Sequence, residues 1–386
     1  MTLVDTALVT RVTERLALAG EQPTTAAVTA VLRHEGAVLG SSGVLALVAE
    51  VRSELTGFGP LEALLVDDLV SDVLVNGPAD VWVDRGAGLV RAPVTFRDEA
   101  AVRRLAQRLA ASAGRRLDLA RPTVDARLAG GIRLHAVLPP VSPSGTLLSL
   151  RVLRRRAFTV AELVDRGTLV PPLAELLERV VRCRVSFLVT GGTGTGKTTL
   201  LASLLSRVPP DERVVLVEDS CELAPDHPHV VRLEARTANV EGAGAVDLRA
   251  LVREALRMRP DRIVVGEVRG GEVVELLAAL NTGHDGGAGT VHASGPAVLP
   301  ARLEALALAA GLPREALHSQ LAAAVQVVVH LAREPDGSRV VRAVGCLTRG
   351  TDGLCRVVPA VRVEDGRLVE DSAAATLAGL LAAGAA

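Results

Sequence analysis

Residues 191–199 read Gly191-Gly192-Thr193-Gly194-Thr195-Gly196-Lys197-Thr198-Thr199, a G-x-x-x-x-G-K-[ST] pattern. Such a run holds the phosphates of ATP. Glycines let backbone N–H groups converge on phosphate oxygens, and a helix starting at the lysine adds partial positive charge. The Lys197 ammonium is a compact point charge for the β- and γ-phosphates. The Thr198 hydroxyl is a ligand for Mg2+. Lys197 is the only lysine in a chain with 43 Lys and Arg, so every other basic residue has become arginine and this one has not.

Phosphate cleavage also needs carboxylates, one beside the metal and one to take a proton from water. Two apolar runs end in acids: 214–217 leads into Glu218-Asp219, and 263–265 leads into Gly266-Glu267. Ligands of a parallel sheet sit at the carboxyl ends of its strands, so both acids can face the phosphates. Glu218 is assigned as general base and Glu267 as the Mg2+-side carboxylate. His284 and His292 flank a glycine-rich loop, and either can hydrogen-bond a γ-phosphate or sense its loss.

The chain's 386 residues suit two or three domains. Apolar residues make up 49% and aromatics 1%, so the cores are expected to be Val, Leu and Ala. Residues 1–55 read as a helical N-terminal extension and 56–153 as a smaller α+β N-terminal domain. Residues 154–160 form a linker carrying Arg154-Arg155-Arg156, expected to be a solvated face. From 161 to 386 strands and helices alternate, the pattern of an α/β domain with a central, mainly parallel sheet. Strands are expected over 72–76, 80–84, 146–153, 185–190, 213–218, 262–267 and 289–293, and helices over 98–113, 197–207, 247–258 and 272–281. The region after 340 reads as hairpin-like, and the Ala-rich tail as low-complexity.

The formal net charge of −1 gives no whole-protein attraction to nucleic acid or to an anionic membrane. Cys183, Cys221, Cys346 and Cys355 lack C-x-x-C pairing and suit reduced, cytosolic thiols. The charged first turns are not those of a signal peptide, and the apolar stretches 321–332 and 373–386 fall short of the ~18 residues of a membrane span. A soluble protein is expected, with any membrane role passing through a partner.

Several segments together resemble one family. Val217–Leu223 (VEDSCEL) is similar to the aspartate box, Leu256–Gly271 (LRMRPDRIVVGEVRGG) to the Walker B region, and Asn281–Ala293 (NTGHDGGAGTVHA) to the histidine box of the type II/type IV secretion ATPase superfamily. Residues 57–64, 72–78 and 122–140 resemble its N-terminal domain. Within it the likeness is to the tight-adherence (Flp) pilus assembly ATPases of the TadA/CpaF type. The resemblance covers roughly residues 55–335. It implies that residues 161–386 are a RecA-like P-loop ATPase domain, within a homo-hexameric ring at the cytoplasmic face of the inner membrane, working on platform proteins of a pilus or secretion machine, with no direct nucleic-acid contact. It also implies that Arg133 and Arg151, less securely Arg127, reach the γ-phosphate, with Arg269 assisting. A conjugation-type ATPase, a RecA-like nucleic-acid motor and a non-catalytic nucleotide switch stand as alternatives. Both carboxylates are present, which argues against the switch.

Overall fold

The structure is a computed structural model describing residues 6–35, 39–67, 69–86, 88–152, 157–236 and 243–384. Arg154, Arg155 and Arg156 lie outside these. The chain divides into two compact units, Met1–Leu153 and Arg154–Ala386.

The first unit begins with three helices, Thr6–Ala19, Thr25–His34 and Ser41–Thr56. Their Leu and Val recur at helical spacing, and Val12, Leu16, Val28, Leu32, Leu47 and Val51 pack into a small core of their own. Thr24 caps the second helix by accepting from the Ala27 N–H. A six-stranded antiparallel sheet follows, built from β1 (Asp72–Gly77), β2 (Asp80–Asp84), β3 (Leu89–Arg91), β4 (Thr123–Arg127), β5 (Arg133–Val137) and β6 (Leu147–Arg151), in the order β3-β2-β1-β6-β5-β4. Alternate residues are buried, as one-sided packing requires. The inner face shares a core with Val102, Leu105, Ala106 and Leu109 of the helix Glu99–Ser112.

The second unit is a nine-stranded sheet between two helical layers. Its strands are β7 (Phe187–Gly191), β8 (Val214–Glu218), β9 (Val230–Glu234), β10 (Arg262–Val268), β11 (Ala288–His292), β12 (Val327–Arg333), β13 (Arg339–Arg349), β14 (Cys355–Glu364) and β15 (Arg367–Glu370). Their order is β15-β14-β13-β12-β7-β11-β10-β8-β9. Strands from β12 to β9 pair in parallel, and β13, β14 and β15 extend the sheet antiparallel. The α/β expectation thus holds, with a mixed rather than purely parallel sheet. In β8, Val214 and Leu216 join one core while Val215 and Val217 join the other, because a strand turns successive side chains to opposite faces. Helices Pro171–Arg182, Lys197–Leu205 and Ala374–Ala383 cover one face. Leu248–Leu256, Glu272–Leu280, Leu299–Ala309 and Arg314–Ala324 cover the other.

Two stretches have structure that the sequence reading left unassigned. The apolar run 321–332 is the end of one helix and then β12, the backbone switching to extended at Val325 (φ −123°, ψ 124°). Val327-Val328-Val329 are β-branched and fit a pleated, buried strand. The Ala-rich tail forms the helix Ala374–Ala383, docked through buried Leu377 and Leu381.

The amino-terminal edge of this sheet is pinned by charge. Arg262 is fully buried, its Nε 2.7 Å and Nη2 3.1 Å from the two carboxylate oxygens of Glu212, with Arg184 Nη1 at 3.4 Å. Replacing Arg262 with Leu leaves Glu212 half-paired and nearly buried. Chemical denaturation is expected to register a loss of about 3 kcal/mol, and a loss under about 1 kcal/mol contradicts this role.

Candidate functional site

The strand β7 runs out at Gly191, and the helix Lys197–Leu205 begins six residues later. A Cβ on Gly191 would lie 2.6 Å from the Leu331 carbonyl oxygen on β12 and 2.6 Å from Thr195 Oγ1, so only glycine lets the strand end there. Gly194 and Gly196 take positive φ (71° and 92°), which winds the loop around its own N–H groups. Thr195 is buried and donates its hydroxyl to the Gly192 carbonyl at 3.0 Å. Thr193 is exposed, and Thr198 and Thr199 are half-buried in the first helical turn.

Lys197 is 6% exposed. Its ammonium donates to the carbonyls of Gly191 (3.1 Å) and Gly192 (2.7 Å) and stands 3.4 Å from His292 Nδ1. His292, at the end of β11, places Nε2 2.8 Å from Glu267 Oε1. A neutral imidazole with its proton on Nε2 satisfies both neighbours, donating to the carboxylate and accepting from the ammonium. Burial and the Lys197 charge hold the His292 pKa below its ordinary value, against the pull of Glu267. Burial lowers the Lys197 pKa, again against Glu267. Glu267, Lys197 and His292 therefore form one connected group where β10, β7 and β11 end.

Glu218 ends β8 on the far side of β10 from β11. It is 3% exposed, and its Oε1 accepts from the Glu222 and Leu223 N–H groups, each at 2.9 Å. Its Oε2 is buried without a hydrogen-bond partner among the described residues. Burial pushes its pKa up to about 7. The carboxylate has room because residue 266 is glycine: a Cβ there would lie 2.7 Å from Glu218 Cγ. Arg269 donates through Nε to Asp219 at 2.8 Å, pairs with it again through Nη2, and stands 3.9 Å from Glu267. Glu272 is buried and accepts from the Arg269 (2.6 Å) and Gly270 (2.8 Å) N–H groups, fixing that turn.

The structure thus brings Gly191–Thr199, Glu218, Glu267, Arg269 and His292 to the carboxyl edge of one sheet. It does not bring His284. That residue precedes β11, and Ala288, where β11 begins, pairs with Phe187 at the start of β7. The His284 ring meets the Ala279 carbonyl at 3.1 Å, closing the helix Glu272–Leu280 at the opposite edge of the sheet. The reason is directional: the two histidines stand at opposite ends of one strand. Arg127, Arg133 and Arg151 belong to the first unit. There the register pairs Arg133 with both Arg127 and Arg151, and Arg151 with Asp72, setting the three arginines side by side on one exposed face. The Gly266 space, the Asp219 partner of Arg269 and the cap made by Glu272 had no signal of their own in the sequence.

The cradle fits a nucleoside triphosphate: no Cβ fits at Gly191, and the helix starts at the lysine. Thr198 and the one-third-exposed Glu267 are oxygen donors of the kind a Mg2+ ion takes. Among the described residues no group of three or more His, Cys, Asp or Glu could hold a metal by itself.

A family profile described as Type II/IV secretion system protein matches residues 54–370. A putative conjugal transfer protein of Mycobacterium tuberculosis is 57% identical over 344 residues, spanning 88% of this chain and 97% of that protein. A probable conjugal transfer protein, TrbB, of Sinorhizobium fredii is 32% identical over 286 residues, spanning 72% of this chain and 83% of that protein. Among solved structures, the pilus retraction motor PilT with bound ADP has the same fold, with a TM-score of 0.52 at 20% identity over 83% of this chain and 84% of that one.

Glu218 links the site to stability. Its folded pKa, about 7, lies above its ordinary 4.5, so its contribution is fully present below pH 4.5 and is lost as pH rises through 7. The loss approaches about 3 kcal/mol. Glu218→Gln does not titrate, so its stability relative to the unsubstituted chain should rise between pH 5 and pH 8. Denaturant titrations at the two pH values measure this, and a pH-independent gap contradicts it.

Proposed function

The chain belongs to the type II/IV secretion system protein family of P-loop ATPases, and we propose that it is the motor of a pilus-assembly or secretion machine, cycling through ATP hydrolysis as a homo-hexamer. The observation that carries this reading is the pairing of a lysine cradle with a buried carboxylate of pKa about 7 three strands away in the same sheet. A general base works best with a pKa near the operating pH.

In this mechanism Lys197 exchanges its loop carbonyls for the β- and γ-phosphate oxygens. Thr198 and Glu267 would hold Mg2+, which would neutralise phosphate charge. The unpartnered Oε2 of Glu218 accepts the proton of the attacking water, while Oε1 stays fixed by two N–H groups. His292 links Lys197 to Glu267 and so feels the lysine's departure toward phosphate. The family resemblance carries Arg133 and Arg151, and less securely Arg127, as sources of positive charge for the γ-phosphate, and Arg269 stands on the Glu267 side. Hydrolysis then drives the motion that works on a platform partner at the inner face of the plasma membrane. No helix among the described residues is long and apolar enough to cross a membrane.

Assembly of tight-adherence (Flp) pili is the use that the sequence blocks at 217–223, 256–271 and 281–293 favour. A conjugation-type machine is a second reading, favoured by the names of the two relatives. Deleting the gene separates them: loss of surface pili supports the first, and loss of DNA transfer with pili intact supports the second.

Lys197→Ala is expected to abolish ATP turnover, and undiminished hydrolysis would refute the cradle. Glu218→Gln should still bind ATP while turnover falls by roughly 10²- to 10⁴-fold. In the unsubstituted enzyme turnover should fall as pH drops below about 7, where Glu218 is protonated. Wild-type rates in Glu218→Gln, or a flat profile through that range, reassign the base.

A further inference from the structure

We infer that Arg339, at the start of β13, is a positioning residue of the phosphate cradle, acting through the Gly194 carbonyl. The inference rests on the nucleotide-binding reading of residues 191–199.

The placement follows from sheet topology. β12 runs parallel to β7, with Leu331 opposite Gly191, so its end reaches the start of the loop. A tight hairpin turns the chain back: the Glu334 N–H donates to the Ser338 carbonyl at 2.8 Å, and Gly337 takes φ 87°. An ion pair between Arg342 and Glu334 ties its two arms. Antiparallel register then sets Arg339 opposite Arg333 at the carboxyl edge of the sheet. From there Arg339 Nε donates to the Gly194 carbonyl at 2.9 Å across 145 residues of sequence. The Arg339 Cδ also lies 3.5 Å from where a Cβ on Gly196 would stand, so the side chain lies along the outside of the loop.

Peptide geometry gives this contact its consequence. The Gly194 carbonyl and the Thr195 N–H share one planar trans peptide and point in opposite directions. Drawing the carbonyl outward toward Arg339 turns the Thr195 N–H inward, toward the cradle. Gly194 sits at φ 71° and has no Cβ to restrict it, so without an external anchor this peptide has more freedom than its neighbours. The inner part of the loop is already held by Lys197 and Thr195 on Gly191 and Gly192. Arg339 supplies the corresponding restraint at the outer part. A preset donor binds substrate and transition state alike, so its loss raises KM more than it lowers kcat.

The test is equilibrium binding of a fluorescent ATP analogue to the full chain, paired with steady-state turnover. Arg339→Ala should weaken binding about tenfold, the order expected for one charge-assisted hydrogen bond, and raise KM more than kcat falls. Arg339→Gln is the decisive companion, because its amide nitrogen is bonded to Cδ as the Arg Nε is and can donate to the same carbonyl without charge. It should recover most of the lost affinity. Binding by Arg339→Ala within twofold of the unsubstituted chain overturns the inference. So does equal weakening in Ala and Gln with recovery only in Arg339→Lys, since charge on the nucleotide would then be the agent. Lys197→Ala serves as the control. If the unsubstituted chain binds no better than it does, the nucleotide reading fails, and this inference with it.

Discussion

The molecule is organised around an ammonium group placed where a buried strand becomes a helix. Lys197 is almost wholly enclosed, and its charge is balanced by two loop carbonyls, an imidazole nitrogen and, beyond it, the Glu267 carboxylate. A cation held at such a place must be compensated, because burying an unpaired charge is prohibitive. The carbonyls and the histidine provide that compensation in exchangeable form, since phosphate oxygens offer the same ammonium stronger, charged acceptors. The rest of the second unit can be understood as the frame that keeps this exchange local. β12 closes one side of the loop through Leu331, and β11 delivers His292. β10 delivers Glu267.

The carboxylate at Glu218 presents the opposite problem. It is buried with one oxygen satisfied and one bare, and so is only about half ionised near pH 7. That arrangement costs stability at alkaline pH, and it leaves the bare oxygen able to take a proton. Gly266 makes the arrangement sterically feasible, since any side chain there would strike Glu218. A weakened group kept inside an otherwise well-packed sheet edge is what a proton-transfer role asks for, and a purely structural carboxylate would be better served by a second donor.

Much of this was legible in the chain itself. The cradle could be read because glycine spacing and a lone lysine carry their own stereochemical reason. Glu218 and Glu267 could be read because apolar strands ending in acids point to the carboxyl edge of a parallel sheet. His284 shows the limit: glycine-rich surroundings gave it the same appearance as His292, but strand direction, fixed only by pairing with β7, puts the two at opposite edges. Arg339 was hidden among dozens of arginines, and its partner lies 145 residues away, a distance no local pattern spans. The run 321–332 hid a helix-to-strand switch because Ala, Leu and Val suit a buried helix and a buried strand equally until a neighbouring strand decides. The three arginines of the first unit stand abreast through sheet register, which spacing alone does not convey.

Family membership fits this picture, since the matched span of residues 54–370 takes in the sheet that carries the arginines and the strands that carry the cradle and both carboxylates. The most direct measurement is a structure of the chain with a non-hydrolysable ATP analogue and Mg2+. The account predicts that Lys197 Nζ leaves the Gly191 and Gly192 carbonyls for the β- and γ-phosphate oxygens, at ~3 Å, and that Glu218 Oε2 faces the γ-phosphate through a water. A nucleotide seated elsewhere, or bound while Lys197 stays on its carbonyls, would contradict it.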